Sequence, residues 1–316
     1  MSRLLNAIRC YVSYVWSRLW GVRVVHHMPL FVSVEPANVC QLRCPECPVG
    51  QAAERKSTAP RLMQDVVWQR IINQVAPYVY TIQFYFQGEP LLNPRLPQMI
   101  ADARARGVYT IVSTNAQAIT PQMAEQLVCA GLNRIIISMD GATQHTYEAY
   151  RIGGQINRCK EAMRWLKEAK KKYHKHTIIE LQCLRLRTNE HEWNTLRNQY
   201  KALGADRLVF KTAQLYHYAD GHPLMPSQPR YNRYTKGQDG QYHRKALSKA
   251  CFRVWSGCVI TTDGTVLPCC YDKESQYAYG NIMDTDLHTL FSNQAAHAFR
   301  QQAWQEQPSI CKECWK

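Results

Sequence analysis

The sequence predicts an α/β protein in which a parallel sheet is covered by helices. From residue 31 to about 212, short runs rich in β-branched and aromatic residues alternate with longer amphipathic segments. Gly107, Gly131 and Gly204 each stand where a helix should stop before the next strand. Repeated strand–helix units imply parallel strands joined by right-handed crossovers.

The alternating region contains six candidate strands and five candidate helices. The strands are predicted over 31–35, 82–86, 109–113, 134–138, 178–186 and 207–211, and the helices near 64–75, 96–106, 121–130, 156–173 and 190–203. Periodicity does not distinguish a doubly wound sheet from a partial barrel. In both architectures the functional groups should lie at the C-terminal ends of the strands.

Residues 1–30 form a separate amphipathic segment. Apolar side chains such as Leu4, Ile8 and Val12 recur at helical spacing, with arginines among them. The segment has no uninterrupted apolar span of transmembrane length and no convincing signal-peptide cleavage site. It is either a helix packed on the main domain or a helix lying at a membrane surface, because Arg, Trp and Tyr suit a headgroup boundary.

The α/β rhythm ends at residue 212, so the predicted core is 31–212. Residues 213–250 show no clear period and predict a long connection that covers an active-site mouth. A second unit, 251–316, begins with a hairpin pattern over 253–261 and 265–270 around the turn dipeptide Asp263-Gly264. An amphipathic helix is predicted near 285–302.

Thirteen cysteines and a net charge of +15 in 316 residues limit the functional classes. Most of the cysteines fall into tight groups, which indicates metal ligands in a reducing cytoplasm rather than secreted disulfides. Cys10, Cys129, Cys159 and Cys183 stand outside these groups and are predicted to pack as small apolar residues. The basic surface suits an acidic redox partner or substrate. With no folded nucleic-acid motif, charge alone does not predict a nucleic-acid partner.

The first cysteine group, Cys40-Gln-Leu-Arg-Cys44-Pro-Glu-Cys47, follows the first predicted strand directly. Three thiolates on one short loop cannot complete the ligation of four irons, so one iron would stay open to bind and reduce a small molecule. Thiolates suit iron–sulfur clusters and zinc alike. The spacing alone therefore leaves both a cluster and a three-cysteine zinc site as interpretations.

This loop and the segments that follow it resemble the radical S-adenosylmethionine (SAM) superfamily, whose CxxxCxxC loop follows the first strand of a partial (β/α)6 barrel. Gln87-Gly88-Glu89-Pro90 closes the second strand and is similar to the family's GGE segment, which meets the methionyl amine of SAM. Gln87 replaces the first Gly of that segment. Glu46 stands before the third cysteine, where an aromatic residue often packs near the adenine.

Later strand ends extend the resemblance. Ser113 and Asn115 at the third strand, and Ser138 and Asp140 at the fourth, look like the family's SAM contacts. Arg151 is similar to the arginine that pairs with the SAM carboxylate in related enzymes. The resemblance thus implies a [4Fe-4S] cluster on the CxxxCxxC loop. It also implies reductive cleavage of SAM to a 5′-deoxyadenosyl radical, which removes a hydrogen atom from a substrate. The expected electron donor is a flavodoxin or ferredoxin.

The second cysteine group comprises Cys251, Cys269, Cys311 and Cys314. Seen alone, four cysteines ending in CxxC are typical of structural zinc. The region is, however, similar to the SPASM/twitch extensions of radical SAM enzymes, which carry auxiliary [4Fe-4S] clusters. Since no further cysteine follows Cys314, the resemblance implies one auxiliary cluster, the twitch arrangement. Cys270 occupies the position of a substrate-deprotonating Asp in sulfatase-maturating relatives and is the candidate acid/base group.

An auxiliary cluster beside the substrate implies removal of an electron after hydrogen abstraction. The sequence is therefore predicted to encode an oxidoreductase that oxidises or crosslinks a peptide or a small polar metabolite. Two alternatives stay open: a redox-neutral radical reaction with a structural auxiliary cluster, and a non-catalytic metal-binding scaffold.

Overall fold

The structure is a computed structural model that describes residues 2–21, 26–51, 61–245, 251–305, 308–312 and 314. The chain divides into two compact units. The first unit comprises Met1–Val39, Lys56–Ile111 and Leu247–Lys316, and the second comprises Cys40–Arg55 and Val112–Ala246. The middle of the chain thus forms most of one unit, while both terminal regions belong to the other.

The described part of the chain contains eleven strands. They are β1 (Phe31–Val34), β2 (Thr81–Phe84), β3 (Tyr109–Thr114), β4 (Arg134–Ser138), β5 (Ile178–Arg185), β6 (Arg207–Thr212), β7 (Tyr234–Lys236), β8 (Tyr242–Arg244), β9 (Gly257–Ile260), β10 (Thr265–Leu267) and β11 (Gly280–Asn281).

Twelve α-helices accompany them in the same ranges. They are α1 (Arg3–Trp20), α2 (Pro48–Gln51), α3 (Asp65–Val75), α4 (Leu96–Ala105), α5 (Pro121–Cys129), α6 (Gln144–Glu148), α7 (Ile156–Lys172), α8 (Trp193–Gln199), α9 (Arg253–Ser256), α10 (Leu287–Ser292), α11 (Gln294–Gln305) and α12 (Ser309–Lys312). Three 3-10 turns, Pro90–Leu92, Arg187–Glu192 and Pro229–Tyr231, complete the elements.

In the first unit the strands are ordered β11-β10-β9-β1-β2-β3. β1 is central and pairs in parallel with both β2 and β9, in the registers Phe31↔Thr81 and Phe31↔Gly257. β10 and β11 add an antiparallel edge. Val32 and Val34 of β1 are fully buried, as expected for a strand with neighbours on both sides.

In the second unit β3, whose last residues lie here, is followed by β4, β5 and β6 in spatial order, and β4, β5 and β6 are parallel. α5 and α7 pack together and bury Leu127, Cys159 and Leu166. β7 and β8 form a separate two-stranded hairpin. The parallel strand ends bring successive loops to one edge, where ligands bind in sheets of this kind.

The six predicted strands agree with β1–β6 to within two residues, and the predicted α/β class with a mostly parallel sheet is confirmed. The three glycines predicted to end helices all have positive φ, at 70° for Gly107, 82° for Gly131 and 102° for Gly204. That conformation is costly for other residues, which is why glycine marked these helix ends correctly.

The predicted hairpin arm 253–261 is wrong in its first half, because Arg253–Ser256 form the short helix α9 and only Gly257–Ile260 are a strand. The Ser256 hydroxyl donates to the carbonyl of Phe252, which closes this turn. β10 ends at Leu267, so Cys269 and Cys270 lie in a turn rather than on a strand.

Other expectations need smaller corrections. The helix predicted near 285–302 is two helices, α10 and α11, separated at Asn293, whose side chain bonds the Tyr279 carbonyl and the Ala296 amide instead. The helix predicted near 190–203 begins as a 3-10 turn, and 213–250 contains β7 and β8. Cys129 is exposed, whereas Cys10, Cys159 and Cys183 are buried as predicted.

The amphipathic segment is helical as predicted, over Arg3–Trp20, and packs within the first unit. The Ser2 hydroxyl accepts from the amide of Leu5 and caps its start. None of the helices in the described ranges is long and apolar enough to cross a bilayer. Residues 22–25 of this segment lie outside the described residues.

Candidate active site

Cys40, Cys44 and Cys47 lie on one tight loop of the second unit. The amide of Cys47 donates to the carbonyl of Cys44 over 3.2 Å, and α2 starts at the next residue. Gly50, in α2, approaches the loop so closely that a Cβ there would lie 2.7 Å from the backbone N and O of Cys44. The loop therefore has a compact backbone that leaves no room for a side chain at that position.

The sulfur of Cys40 accepts two hydrogen bonds. The amide of Leu42 and the Asn115 Nδ2 each lie 3.4 Å from Cys40 Sγ. Asn115 follows β3 and is itself oriented by Gln41, whose Nε2 donates to Asn115 Oδ1 over 3.3 Å. N–H groups aimed at a sulfur stabilise a metal-bound thiolate and tune the potential of a cluster.

Cys44 is buried beside a cation. Arg151 Nη1 lies 3.8 Å from Cys44 Sγ, and Arg151 Nε donates to Asp140 Oδ2 over 2.6 Å. The second carboxylate oxygen of Asp140 accepts from the amide of Leu184 over 2.6 Å. Burial raises the pKa of the Cys44 thiol, and the nearby guanidinium opposes that rise. Burial alone would lower the pKa of Arg151, but Asp140 and Cys44 outweigh it and hold that pKa well above its ordinary value.

Apolar side chains surround this loop within the second unit. Leu42 and Cys44 are buried together with Tyr150, Leu186, Ala213, Leu215, Leu224, Met225 and Tyr234, and Cys40 and Cys47 pack against the same group. Such surroundings exclude water and strengthen the electrostatic interactions of any charged group bound there.

Gly88 and Glu89 belong to the first unit, where they lie against the residues that precede the cysteine loop in the chain. The amide of Glu89 donates to the Val39 carbonyl over 2.8 Å. A Cβ on Gly88 would lie 2.1 Å from the Ala37 carbonyl oxygen, so only glycine fits. Glu89 is buried, and its Oε1 accepts from the amide of Leu91, which caps the following 3-10 turn.

The remaining predicted SAM contacts, Ser113 and Ser138, lie at the ends of β3 and β4. Ser113 is half-buried and Ser138 is buried. The second unit therefore brings together the cysteine loop, Asn115, Asp140 and Arg151 through direct hydrogen bonds. Ser138 contacts Cys159, whose sulfur lies 4.0 Å from the Ser138 carbonyl oxygen.

Sequence reasoning missed a pair centred on Glu46, inside the cysteine loop. Glu46 Oε1 lies 3.3 Å from His222 Nε2, and Glu46 Oε2 accepts from the amide of Tyr216 over 2.5 Å. His222 Nδ1 in turn accepts from the amide of Leu224, which leaves Nε2 to donate to the carboxylate. The only sequence signal was the unusual acid at position 46. These contacts of Glu46 explain how the segment after β6 is attached to the cysteine loop.

The second cysteine group lies in the first unit. Burial raises the pKa of the Cys269 thiol, and the neighbouring sulfurs of Cys270, Cys311 and Cys314 raise it further. The amide of Cys314 donates to the Cys311 carbonyl over 3.1 Å. Cys251 is half-buried immediately before Phe252 and α9, and Cys270 is exposed. The structure thus brings Cys269, Cys311 and Cys314 within electrostatic reach of one another.

In the part of the chain that the structure describes, no three His, Cys, Asp or Glu side chains are placed to hold one metal ion. The ligands of a four-iron cluster each bind a different iron, so they stand farther apart than the ligands of a single ion. The donor chemistry of the first loop fits such a cluster, because it offers three thiols, two N–H groups on Cys40 Sγ and a cation beside Cys44.

Comparison with known proteins gives two family matches. The profile of the radical SAM superfamily matches residues 34–181, and that of the SPASM iron–sulfur cluster-binding domain matches residues 251–315. The chain belongs to the radical SAM superfamily. Its two matched domains imply a [4Fe-4S] cluster and the binding of SAM.

Three proteins similar to this radical SAM protein are each less than 25% identical to it. The PqqA peptide cyclase of Bradyrhizobium diazoefficiens is 24% identical over 320 residues, which cover 91% of this chain and 79% of the relative. Streptococcus suis SuiB, in a crystal structure with S-adenosylmethionine, has a TM-score of 0.69 at 15% identity, covering 98% of this chain and 76% of that one. The anSMEcpe structure with bound AdoMet has a TM-score of 0.66 at 20% identity, covering 90% and 83%.

These structural likenesses confirm the predicted fold class. The chain has the radical SAM type of α/β fold, predicted as a partial (β/α)6 barrel, with a C-terminal cluster-binding domain.

Proposed function

We propose that this radical SAM enzyme reductively cleaves SAM and abstracts a hydrogen atom from a peptide, which it oxidises or crosslinks. Several similar proteins are named for a peptide or were crystallised with one. One is a PqqA peptide cyclase, SuiB was crystallised with a precursor peptide, and anSMEcpe with the Cp18Cys peptide. A peptide is therefore favoured over a small polar metabolite as the substrate class.

The observation that carries the proposal is the charge arrangement around Cys44. Arg151 is held by Asp140 at 2.6 Å and lies 3.8 Å from the sulfur. A cation fixed beside a cysteine loop is suited to bind the carboxylate of an amino acid. Both Asp140 oxygens already accept hydrogen bonds from Arg151 and Leu184. We therefore assign Asp140 to the SAM-binding residues through its orientation of Arg151.

When bound, the cluster and SAM supply one electron and a 5′-deoxyadenosyl radical, the hydrogen-abstracting species of this family. The residues of the chain itself bind and orient SAM. In the proposal Arg151 binds the SAM carboxylate, Glu89 accepts from its ammonium group, and Asn115, Ser113 and Ser138 contact the remainder. Gly88 allows the close backbone approach.

We further propose that Cys251, Cys269, Cys311 and Cys314 hold one auxiliary [4Fe-4S] cluster of the twitch type. A cluster there supplies an acceptor for one electron, while exposed Cys270 is the candidate to take a proton. The peptide then loses two hydrogens in all, which makes the enzyme an oxidoreductase. The proposed boundaries are 31–212 for the core, 213–250 for the connection and 251–316 for the auxiliary domain, with 1–30 preceding them.

The proposed setting is a reducing cytoplasm, with a flavodoxin or ferredoxin as electron donor. The tight grouping of most of the cysteines suits metal ligands in such a compartment. Both donors are usually acidic, and the net charge of +15 favours their encounter with this surface.

Anaerobic reconstitution tests the proposal. We expect about eight irons per chain, falling to about four in a Cys40/Cys44/Cys47→Ala variant and to about four in a Cys251/Cys269/Cys311/Cys314→Ala variant. Wild type should release 5′-deoxyadenosine from SAM under reduction, and the first variant should release none. Zinc in place of iron, or intact clusters without SAM cleavage, would instead indicate a metal-binding scaffold.

Product mass separates the proposed oxidation from a redox-neutral reaction. A peptide product lighter by two hydrogens supports oxidation or crosslinking. An isomer, or a product carrying an added group, refutes it and leaves the auxiliary cluster a structural role.

A further inference from the structure

Helix α1 presents its apolar side chains to solvent. Leu4, Trp20 and Leu19 have 66%, 62% and 63% of their surface exposed. The same is true of the other large apolar residues on this face, which are Leu5, Ile8, Tyr11, Val12 and Trp16. A soluble helix normally turns such residues inward, and exposed apolar patches of this kind mark interaction surfaces.

The face of α1 that packs inward is small and polar. Its buried residues are Asn6, Cys10 and Ser17. Asn6 donates to the Met28 carbonyl over 3.1 Å and accepts from the Met28 amide over 2.9 Å. Cys10 Sγ lies 3.7 Å from the Trp255 carbonyl. The helix is thus held by hydrogen bonds on one side, which leaves the apolar side available.

The N-terminus of the helix is fixed in the same way. Arg3 donates from Nη1 to the Gly107 carbonyl over 2.8 Å and from Nη2 to the carbonyls of Arg106 and Ala76. These contacts lie at the opposite end from Trp20. The inward face is therefore attached from Arg3 to Cys10, and the outward face keeps a fixed orientation on the first unit.

Charged residues line both edges of the apolar face. At about 100° per residue, Ile8, Val12 and Leu19 lie near its middle, and Arg9 and Arg18 lie on opposite edges roughly 180° apart. Both arginines are exposed. No acidic residue occurs before Glu35 in the sequence. Arginines beside an apolar stripe with tryptophans are the pattern of a helix that lies in the plane of a membrane surface.

We propose that α1 binds the surface of an anionic phospholipid bilayer, with its apolar face at the boundary between headgroups and acyl chains. Its arginine edges would then meet lipid phosphates, each contributing electrostatic attraction to an anionic leaflet. A second copy of the chain is a poorer occupant, because it would place the two arginine-edged faces of chains with a net charge of +15 against each other.

Flotation of the reconstituted full-length protein on lipid vesicles tests this directly. The vesicles contain phosphatidylcholine alone or phosphatidylcholine mixed with phosphatidylglycerol. The test variant carries Ile8→Gln, Val12→Gln and Trp16→Gln, which leave the inward face unchanged. The matched control carries Val66→Gln, Tyr80→Gln and Met283→Gln, which alter exposed apolar residues elsewhere in the first unit. Iron content and the thermal unfolding transition verify that each variant is folded.

We expect wild type and control to float with the anionic vesicles. The vesicle-bound fraction of the test variant should be lower by about tenfold or more. An independent Arg9→Gln/Arg18→Gln variant should lose the preference for phosphatidylglycerol while keeping its iron. Equal flotation of wild type and test variant overturns the proposal. A wild type that does not float also overturns the proposal. This holds for a monomeric wild type and for a dimer that the test variant disrupts. Such a dimer would mean that a second copy of the chain covers the face.

Discussion

The guanidinium of Arg151 and the carboxylate of Asp140 form a buried ion pair with an Nε–Oδ2 distance of 2.6 Å. Asp140 is fully enclosed, and its other oxygen is held by the amide of Leu184. The guanidinium also stacks on the Tyr150 ring, 5.4 Å from its centre. The ion pair and the ring contact therefore fix Arg151 beside Cys44, so the cation needs little reorganisation before it meets a carboxylate.

Asp140→Ala should destabilise the protein by about 3–5 kcal/mol, because it leaves the Arg151 cation without its buried partner. Asp140→Asn should cost less, since an amide oxygen still accepts from Leu184. Urea unfolding measures the stability, and equilibrium dialysis of the reconstituted protein measures SAM binding, which should weaken in the same order. Glu125→Gln, in the exposed pair with Lys172, is the control and should change neither. Unaltered SAM binding in Asp140→Ala would contradict the positioning role of the pair.

Gly88→Ala should destabilise the first unit and reduce iron incorporation, because the added methyl would lie 2.1 Å from the Ala37 carbonyl oxygen. Overpacking of this kind costs about 1–3 kcal/mol. Gly153→Ala is the matched control: its Cβ meets nothing within 4 Å, and its φ of 83° adds only backbone strain. Thermal unfolding and iron content are the measurements. If the two variants behave alike, the close approach at Gly88 has no special importance.

Glu46→Gln should loosen the segment that follows β6. The substitution removes the charge facing His222 and weakens the acceptor for the Tyr216 amide. Hydrogen exchange of the amides over 213–225 should speed up about tenfold, as expected for the loss of one buried charged hydrogen bond. Glu190→Gln is the control, because Glu190 also accepts from a backbone amide nearby, that of Ser227, but in an exposed position. Unchanged exchange in Glu46→Gln would mean that the carboxylate does not hold this segment.

His27 should make stability depend on pH. Burial lowers its pKa to about 4, the Met28 carbonyl opposes this shift, and Arg300 and His26 add to it. The unfolded chain therefore binds the proton first, and the stabilisation is complete above pH ~6.5 and is lost as the pH falls toward 4. Wild type should lose about 2 kcal/mol from this group between about pH 7 and about pH 5. Urea unfolding at both values checks it, and His27→Gln should lose correspondingly less over the same interval.

The sequence predicted the strands, the helix-ending glycines and the cysteine loop because each depends on neighbours close in the chain. Alternating apolar runs and the φ demands of Gly131 and Gly204 are local properties. It did not predict that Glu46 pairs with His222, since that contact joins residues far apart and neither belongs to a motif. Asn293 similarly divides a predicted helix because its side chain bonds the distant Tyr279 carbonyl, which no local period reports.

The local sequence pattern also did not predict which face of α1 is buried. An amphipathic period defines two faces of a helix but does not indicate which one is buried. In α1, Asn6 and Cys10 face inward, where they contact the carbonyls of Met28 and Trp255. The polar side of α1 thus faces the first unit, contrary to the usual preference for burying the apolar side. This is the kind of exception expected where a surface has a function.

Helix α1 completes its docking only against residues that are synthesised much later. Cys10 contacts Trp255, 245 positions downstream, and the Tyr14 ring packs edge-on against Phe252 and Trp255. At roughly 5–20 residues per second, a ribosome needs about 12–50 s to make the intervening chain. Throughout that interval the helix lacks its α9 partners. The first surface that helix α1 can bind is therefore one that lies near the site of translation.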